Sequence, residues 1–324
     1  MIRYKDKPIS DPALIEKMDT AWALSRDTFG NGITFYLPGM FRYNGISGKY
    51  PAVSITGDRC SLRCEHCGGS LLKTMPDVSD SGEFLSRCRE LKASGCHGVL
   101  VSGGCDGMGH LPWRDFAPAI ARVKEETGLY VTVHSGLVNH EEARLLKDSG
   151  VDQALFDVIG DDETYRAIYH VDFGVLEIER SMEALKEAGL DMVPHVVCGI
   201  YYGRIKGEKR ALDMISRFRP VQVVIVALMP PSFSEQEKFI SPSPLEVADV
   251  IADARIMMPD VRIALGCARK RGETAMELLA LRAGINRMAI PSDEAIELAE
   301  RLGLKAGYQR TCCSVSMDVA SDNW

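Results

Sequence analysis

Hydrophobic and polar positions alternate along most of the chain in one repeated unit, a short apolar run followed by a longer stretch with helical periodicity. The apolar runs have the length of buried strands, and the longer stretches have one apolar face. The predicted strands cover residues 53–56, 98–102, 129–134, 153–158, 192–198, 221–228, 261–265 and 287–290. Eight strands that alternate with eight helices predict an α/β protein with a complete (β/α)8 barrel of the TIM type rather than an open sheet.

Glycines and helix caps support this division. Six glycines fall where a helix ends and the next apolar run begins, and glycine readily adopts the left-handed conformation that closes a helix. They are Gly95, Gly128, Gly150, Gly189, Gly284 and Gly303. Two helix starts resemble capping boxes, Asn139 with Glu142 and Ser243 with Glu246, each worth about 1 kcal/mol.

Two shorter segments flank the barrel. Residues 1–52 are predicted to form an N-terminal helical extension, in which Asp11 precedes a helix and residues 33–39 are extended. Residues 53–305 form the barrel. Residues 306–324 form a C-terminal tail that contains cysteines and is expected to cover the barrel mouth.

Composition and charge limit the partners. A chain of 324 residues, of which 46 % are hydrophobic, can bury the core of a barrel. The formal net charge of −7 argues against nucleic acid as the main partner. No run reaches the roughly 20 apolar residues of a membrane span, and the first residues lack a secretory signal. The ten cysteines do not resemble the framework of a small secreted protein. We therefore expect a cytoplasmic protein with neither a nucleic-acid nor a membrane partner.

Three cysteines, Cys60, Cys64 and Cys67, follow the first predicted barrel strand in one short loop. This spacing can direct three sulfur atoms to one centre, and soft thiolates select zinc or iron–sulfur clusters. A structural zinc site and an ordinary cluster each take four protein ligands, and no fourth cysteine completes this loop. Three ligands on a cubane cluster leave one iron open for a cofactor or a substrate. A zinc knuckle and a set of structural thiols are the alternatives.

Further polar residues lie at predicted strand ends, where barrels of this kind carry their chemistry. Ser102, Gly103 and Gly104 follow the second strand, and paired glycines allow the main chain to approach a ligand closely. His134 and Asp157 end the third and fourth strands. Each of these residues is also compatible with an ordinary polar position on a barrel rim.

Five further cysteines lie at strand ends or in the tail, namely Cys105, Cys198, Cys267, Cys312 and Cys313. A single buried cysteine is usually a small hydrophobic residue. Together, however, these five could converge at the barrel mouth and bind a second iron–sulfur cluster. Because side chains alternate along a strand, His195 and Cys198 cannot both face inward unless the strand end bends.

These motifs resemble those of the radical S-adenosylmethionine (SAM) superfamily, and in particular its biotin synthase-like branch. The resemblance rests on the Cys60 loop, residues 35–41, residues 265–269 and the tail cysteines Cys312 and Cys313. It implies a barrel of the biotin synthase kind. It also implies a [4Fe–4S] cluster on Cys60, Cys64 and Cys67, with SAM bound to the open iron.

The same resemblance implies further cofactor contacts. Residues 102–104 resemble the Gly-Gly-Glu motif that binds the methionine amino group of SAM, although the customary Glu is absent. His66 stands where the family usually carries an aromatic residue near the adenine. Asp157 would bind the ribose hydroxyls, and Gly199 would belong to the adenine-side segment.

Within this branch the chain resembles one component of the archaeal two-protein lipoyl synthase. The resemblance implies cleavage of SAM to a 5′-deoxyadenosyl radical and insertion of sulfur at an unactivated carbon of an octanoyl-carrier substrate. The sulfur would come from a second cluster, held either by Cys105, Cys198 and Cys267 or by Cys267 with Cys312 and Cys313. The implied partners are an electron donor of the ferredoxin or flavodoxin type, a lipoyl carrier protein and a second radical SAM component.

Two other functions remain as alternatives. Radical carbon-skeleton rearrangement or cofactor maturation, as in methylornithine synthase or hydrogenase maturation proteins, needs only the SAM cluster. An iron–sulfur carrier protein is disfavoured, because a carrier needs no eight-stranded barrel with a Gly-Gly loop. Fold alone does not decide among these functions.

Overall fold

The computed structural model describes residues 3–4, 7–8, 11–230 and 238–319. Ten parallel strands in these residues form one curled sheet, and helices pack against its outer face. In chain order the strands are β1 (Gly32–Tyr36), β2 (Ala52–Ser54), β3 (Gly98–Ser102), β4 (Tyr130–His134), β5 (Gln153–Asp157), β6 (Asp191–Cys198), β7 (Gln222–Ala227), β8 (Arg262–Leu265), β9 (Arg287–Ala289) and β10 (Lys305–Gln309).

The spatial order of the strands is β10, β1, β9, β8, β7, β6, β5, β4, β3, β2. The α/β barrel fold is confirmed, and the eight predicted strands are present as β2 to β9. Two more strands were not predicted as part of the barrel, since β1 comes from the N-terminal extension and β10 from the tail. In the described residues β2 and β10 are the two edges of the sheet, so the barrel is curled rather than closed by strand pairing.

The alternation of side chains explains why β1 joins the sheet. Ile33 and Phe35 pack into the core between the sheet and the helices, whereas Tyr36 faces the interior of the barrel. A strand that is apolar on both faces is stable only where both faces are covered. β1 therefore pairs with β9 and β10 instead of remaining outside the barrel.

The longer helices of the described chain are α1 (Pro12–Phe29), α2 (Ser81–Ala93), α3 (Trp113–Thr127), α4 (His140–Asp148), α5 (Val175–Glu187), α6 (Glu208–Phe218), α7 (Pro244–Met257), α8 (Ala275–Arg282) and α9 (Asp293–Arg301). A 3-10 turn covers Leu72–Thr74, and a short helix at Asp162–Thr164 continues into a π-helix at Tyr165–Tyr169. Two-residue strands pair at Arg3–Tyr4 with Lys7–Pro8 and at Arg42–Tyr43 with Ile46–Ser47. Among these helices, none has both the length and the apolar character needed to cross a membrane.

The predicted helix caps are confirmed. Asp11 accepts hydrogen bonds from the backbone of α1, and both predicted capping boxes are present at the starts of α4 and α7. All six predicted glycines have a positive φ, which a residue with a Cβ rarely adopts. Local sequence therefore determines where most of these helices begin and end.

Two apolar layers lie on either side of the sheet. Outward residues such as Val99, Val131 and Phe156 pack against the helices. Inward residues such as Leu155 and Val224 surround the interior of the barrel, which we call the lumen. The direction of each strand side chain therefore decides which layer it joins.

The C-terminal tail runs into the lumen. Its residues Cys312, Cys313 and Val315 are buried among the inward side chains of the strands. Gln222 and Arg262, at the N-terminal starts of β7 and β8, contact the backbone of the tail. The described tail residues therefore lie inside the lumen, and a tail that covers the barrel mouth stays a prediction. Small and apolar tail residues gain more from burial in the lumen than from lying over it.

Candidate functional site

The first candidate site is the loop after β2 that carries Cys60, Cys64 and Cys67, which we call the loop cysteines. Cys64 is buried, and the other two are half-buried. The thiols of Cys64 and Cys67 hydrogen-bond each other, which lowers the pKa of Cys67 to about 4 and raises that of Cys64. His66 acts in the same direction on the Cys67 pKa. The pair therefore favours a thiolate on one of its two sulfur atoms.

Main-chain contacts hold this loop against the barrel. The backbone N–H of Ser61 donates to the carbonyl of Cys105 at 2.8 Å. Gly104 lies directly under the loop, and its N–H donates to the Thr56 hydroxyl at 2.7 Å. A Cβ at Gly104 would lie 2.5 Å from the Cβ of Cys60 and would also overlap the loop backbone. Gly104 therefore approaches the cysteine loop closely, and its predicted approach to a ligand stays a prediction.

A cavity of about 160 Å³ lies beside the loop. Five of its lining residues come from the strand ends or loops identified in the sequence, namely Ser102, Gly103, Cys105, His134 and Asp157. Burial lowers the pKa of His134, although Asp157 opposes the shift, so the imidazole is held neutral. The cavity thus offers main-chain, imidazole and carboxylate groups next to the thiols.

Aromatic residues complete the cavity, and sequence reasoning missed them. Tyr165, Tyr169 and Phe173 line it from the segment that follows β5. The His66 ring lies 5.2 Å from the Tyr169 ring, centroid to centroid. Burial raises the pKa of Tyr169 well above its ordinary value, so its hydroxyl keeps its proton. The Tyr-x-x-x-Tyr spacing soon after Asp157 was the available signal, but helical residues four apart are usually core.

Gly199 lies outside the lining of this cavity. It has φ of 76°, and its N–H donates to the buried carboxylate of Glu208 at 2.7 Å. A Cβ at Gly199 would meet the ring of Pro242 at 3.0 Å. The described contacts of Gly199 are therefore with Glu208 and Pro242, and its cofactor role remains a prediction.

The second candidate site consists of Cys267, Cys312 and Cys313, which we call the lumen cysteines. Cys267 follows β8, and the other two belong to the tail. The thiol of Cys313 hydrogen-bonds both other thiols. The Cys313 hydrogen bond, followed by the charges of Arg271 and Arg269, lowers the pKa of Cys267 to about 7 against the effect of burial. The thiol of Cys267 is thus grouped in the lumen with the two adjacent tail thiols, which are distant from it in sequence.

Side chains from several strands hold the lumen cysteines. Gln222 donates to the carbonyl of Cys313 at 2.6 Å, and the His195 ring nitrogen Nε2 lies 3.0 Å from the Ser314 hydroxyl. Arg287 donates to the carbonyl of Val315 at 2.9 Å. These contacts come from β6, β7 and β9, so the sheet as a whole positions the tail.

A buried ion pair holds the loop after β8. Arg269 is 1 % exposed and pairs with Glu277 at 2.7 Å. It also donates to the carbonyl of Gly266 at 2.6 Å, next to Cys267. The backbone that carries Cys267 is thereby fixed independently of the tail.

The structure does not bring all five surplus cysteines together. Cys105 lies beside the loop cysteines, and burial together with the nearby Cys60 raises its pKa to about 12. Cys198 is fully buried in the core on the outer face of the sheet, opposite to the inward His195, as strand alternation required. Of the two ligand sets considered from the sequence, only Cys267 with Cys312 and Cys313 is grouped.

The donor chemistry of both groups fits iron–sulfur clusters. In the described part of the chain no three His, Cys, Asp or Glu side chains already stand at metal-ligand spacing. The loop cysteines nevertheless supply three soft donors on one loop, and a glycine lies beneath it where no side chain fits. Thiolate ligation and an adjacent polar cavity are what a cluster with one open iron requires.

Comparison with known proteins identifies the class. The family model "Radical SAM superfamily" matches residues 54–216, which is half of the chain. The chain therefore belongs to the radical SAM superfamily, whose cofactors are a [4Fe–4S] cluster and SAM. The "Biotin and Thiamin Synthesis associated domain" matches residues 215–317, which assigns the chain to the biotin synthase-like branch.

Curated relatives agree with this branch. The chain is 26 % identical to the biotin synthase of Clostridioides difficile over 215 aligned residues, and this alignment covers 63 % of the chain. It is 26 % identical over 231 residues to the biotin synthase of Geotalea daltonii, covering 68 % of each. The match spans only 64 % of the length of the Clostridioides difficile protein.

Solved structures show the same fold. Methylornithine synthase has a TM-score of 0.64 at 19 % identity, with 93 % of this chain and 91 % of that chain covered. HydG, a maturase of the [FeFe]-hydrogenase, has a TM-score of 0.65 at 17 % identity, with 92 % and 70 % covered. At this identity the likeness concerns the fold alone.

Proposed function

We propose that this protein is a radical SAM enzyme that inserts sulfur at an unactivated carbon, and that the lumen cysteines bind the cluster which donates the sulfur. The observation that carries this proposal is the grouping of Cys267, Cys312 and Cys313 in the lumen. Two of these thiols are at least nine-tenths buried and come from a tail that several strands hold in place. Two separate thiolate groups in one barrel support two clusters.

The two sites would have different functions. Cys60, Cys64 and Cys67 would hold the [4Fe–4S] cluster, and the cavity beside them would bind SAM against Gly103 and Asp157. When bound, these groups supply a 5′-deoxyadenosyl radical that takes a hydrogen atom from the substrate carbon, and a sulfide that bonds to this carbon while its cluster is reduced. Apolar side chains line much of the lumen and limit the access of water.

The substrate and partners follow from the lipoyl synthase resemblance. We propose an octanoyl group on a lipoyl carrier protein as substrate, with a second radical SAM component as partner. An electron donor of the ferredoxin or flavodoxin type would reduce the loop cluster. We propose a cytoplasmic location, because ten free thiols require a reducing compartment.

Iron and sulfide analysis tests the proposal. After anaerobic reconstitution we expect about six to eight irons per chain, because a four-iron loop cluster and a second cluster of about two to four irons would be bound. Incubation with SAM, reductant and an octanoyl-carrier substrate should then yield a thiolated product, with and without the second component as separate arms. About four irons and 5′-deoxyadenosine without any thiolated product would contradict sulfur insertion.

That contrary result would favour carbon-skeleton rearrangement or cofactor maturation. The fold matches that of methylornithine synthase over more than nine-tenths of both chains, so the fold is compatible with this second function. Such an enzyme needs only the loop cysteines. The lumen cysteines would then be packing residues, and their replacement would leave the iron content unchanged.

A further inference from the structure

The hydroxyl group of Tyr169 is buried beside the loop cysteines without a hydrogen-bond partner in the described residues. Tyr169 lines the 160 Å³ cavity that Asp157 and Gly103 also line. Buried hydroxyls in proteins almost always have a partner, and an unpaired one needs an explanation. An absent ligand in the adjoining cavity is such an explanation.

The backbone places this hydroxyl at the loop. Tyr169 ends the π-helix Tyr165–Tyr169, and such helices are frequent at functional sites. The N–H of Glu65 donates to the carbonyl of Ile168 at 2.8 Å, which ties the π-helix to the loop between two of its cysteines. The groups whose charges act on the hydroxyl include Asp157, Cys64 and Cys67. The hydroxyl is therefore near both a carboxylate that lines the cavity and the proposed cluster ligands.

We propose that Tyr169 donates a hydrogen bond to an oxygen atom of SAM bound in this cavity. SAM has carboxylate and ribose oxygens, and Tyr169 lines the same cavity as Asp157, in a segment that is hydrogen-bonded to the cysteine loop. This inference rests on the proposed SAM site, and no sequence motif identified the residue. A hydrogen bond that forms only with the ligand converts an unpaired buried donor into a paired one.

The chain offers a matched control in Tyr165. It lies in the same π-helix and lines the same cavity, but its hydroxyl is hydrogen-bonded by the backbone of Ile159. Removing the Tyr165 hydroxyl should lower the stability of the ligand-free protein. Removing the Tyr169 hydroxyl should leave that state unchanged or slightly more stable, because no partner is lost.

The experiment compares Tyr169→Phe and Tyr165→Phe in the anaerobically reconstituted full chain. Iron content, melting temperature, SAM affinity by titration calorimetry and the EPR spectrum of the reduced cluster with SAM are measured. We expect Tyr169→Phe to bind SAM about tenfold more weakly, with unchanged iron content and melting temperature. Tyr165→Phe should melt at a lower temperature and retain SAM affinity within about twofold of the parent.

Three outcomes would overturn the inference. Equal SAM affinity of Tyr169→Phe and the parent would show that Tyr169 makes no hydrogen bond to SAM. Loss of iron from Tyr169→Phe, or the same loss of SAM affinity in both variants, assigns the residue to packing. A parent chain that holds its loop cluster but binds no SAM would refute the proposed function as well, which distinguishes the two failures.

Discussion

The loop cysteines and the lumen cysteines occupy the same barrel in different settings. Cys60, Cys64 and Cys67 lie within one loop, two of them half-buried, and main-chain hydrogen bonds fix the backbone around them. Cys267 lies 45 residues before Cys312 in the sequence. Side chains from separate strands hold the tail that carries Cys312 and Cys313. A local loop forms one site, and the whole barrel forms the other.

This difference has a thermodynamic consequence. The loop is already ordered in the folded protein, so binding a cluster to its three cysteines costs little further conformational entropy. This site also depends on few contacts with distant residues. A site made from the tail requires the tail to be docked, and docking depends on hydrogen bonds from three or more strands. We therefore expect the loop site to survive changes in the tail, whereas the lumen site does not.

The largest expected effect comes from removing the loop cysteines. Replacement of Cys60, Cys64 and Cys67 by Ala should abolish reductive cleavage of SAM, because no open-iron cluster can form without its thiolates. The assay is the formation of 5′-deoxyadenosine with dithionite. Replacement of Cys96, a half-buried cysteine outside both groups, is the control and should leave this product unchanged. Undiminished 5′-deoxyadenosine from the triple variant would refute the assignment.

The next effect is selective. Replacement of Cys267, Cys312 and Cys313 by Ala should stop sulfur insertion but leave uncoupled cleavage of SAM. The variant should lose about two to four irons per chain, because only the second cluster is removed. Replacement of Cys198 by Ala provides a buried control on the outer face of the sheet. If the iron content of the lumen variant equals that of the parent, these thiols bind no cluster.

A third prediction concerns the glycine beneath the loop. Gly104→Ala would bring a Cβ within 2.5 Å of the Cys60 Cβ, so the loop must shift. We expect SAM cleavage to fall about tenfold or more, since such a shift misplaces a cluster ligand. Gly107→Ala is the matched control, because no atom lies within 4 Å of its added Cβ. Equal iron content and equal cleavage in both variants would show that the loop adapts.

The same contrast explains how far the sequence could be interpreted. The spacing of Cys60, Cys64 and Cys67 identified the first site, because its ligands are neighbours in sequence. The repeat of strands and helices identified the barrel, because side-chain periodicity depends on local structure. Both inferences needed no knowledge of distant contacts.

The remaining features depended on contacts between distant residues. The sequence could not choose between Cys198 and the tail cysteines as partners of Cys267, since the choice depends on strand direction and on the path of the tail. It placed residues 33–39 in an extension, although β1 is completed by strands that lie more than 250 residues later. Tyr169 was missed because its significance is an unpaired atom, which only the packed structure reveals.

The smallest expected effect tests whether the tail is held from the base of the barrel. Arg287 has a 3 % exposed side chain and donates to the carbonyls of Val315 and Ser316 and to Asp318. Arg287→Met removes the hydrogen bond to the buried Val315 carbonyl, whereas Ser316 keeps its bond from Arg262, and the variant should be destabilised by about 2–4 kcal/mol. It should also lower the iron held by the lumen cysteines and spare the loop cluster.

Arg262 provides the control for this last comparison. It donates to the Ser316 carbonyl and pairs with Asp318, as Arg287 does. Its side chain is 36 % exposed, so water can replace much of the hydrogen bonding that Arg262→Met removes. We expect a loss of at most about 1 kcal/mol and full iron content. Urea unfolding and iron analysis of both variants measure the difference. If Arg287→Met keeps all of its lumen iron while losing stability, the contacts at the base of the barrel do not hold the tail cysteines, and the dependence of this site on the whole barrel is wrong.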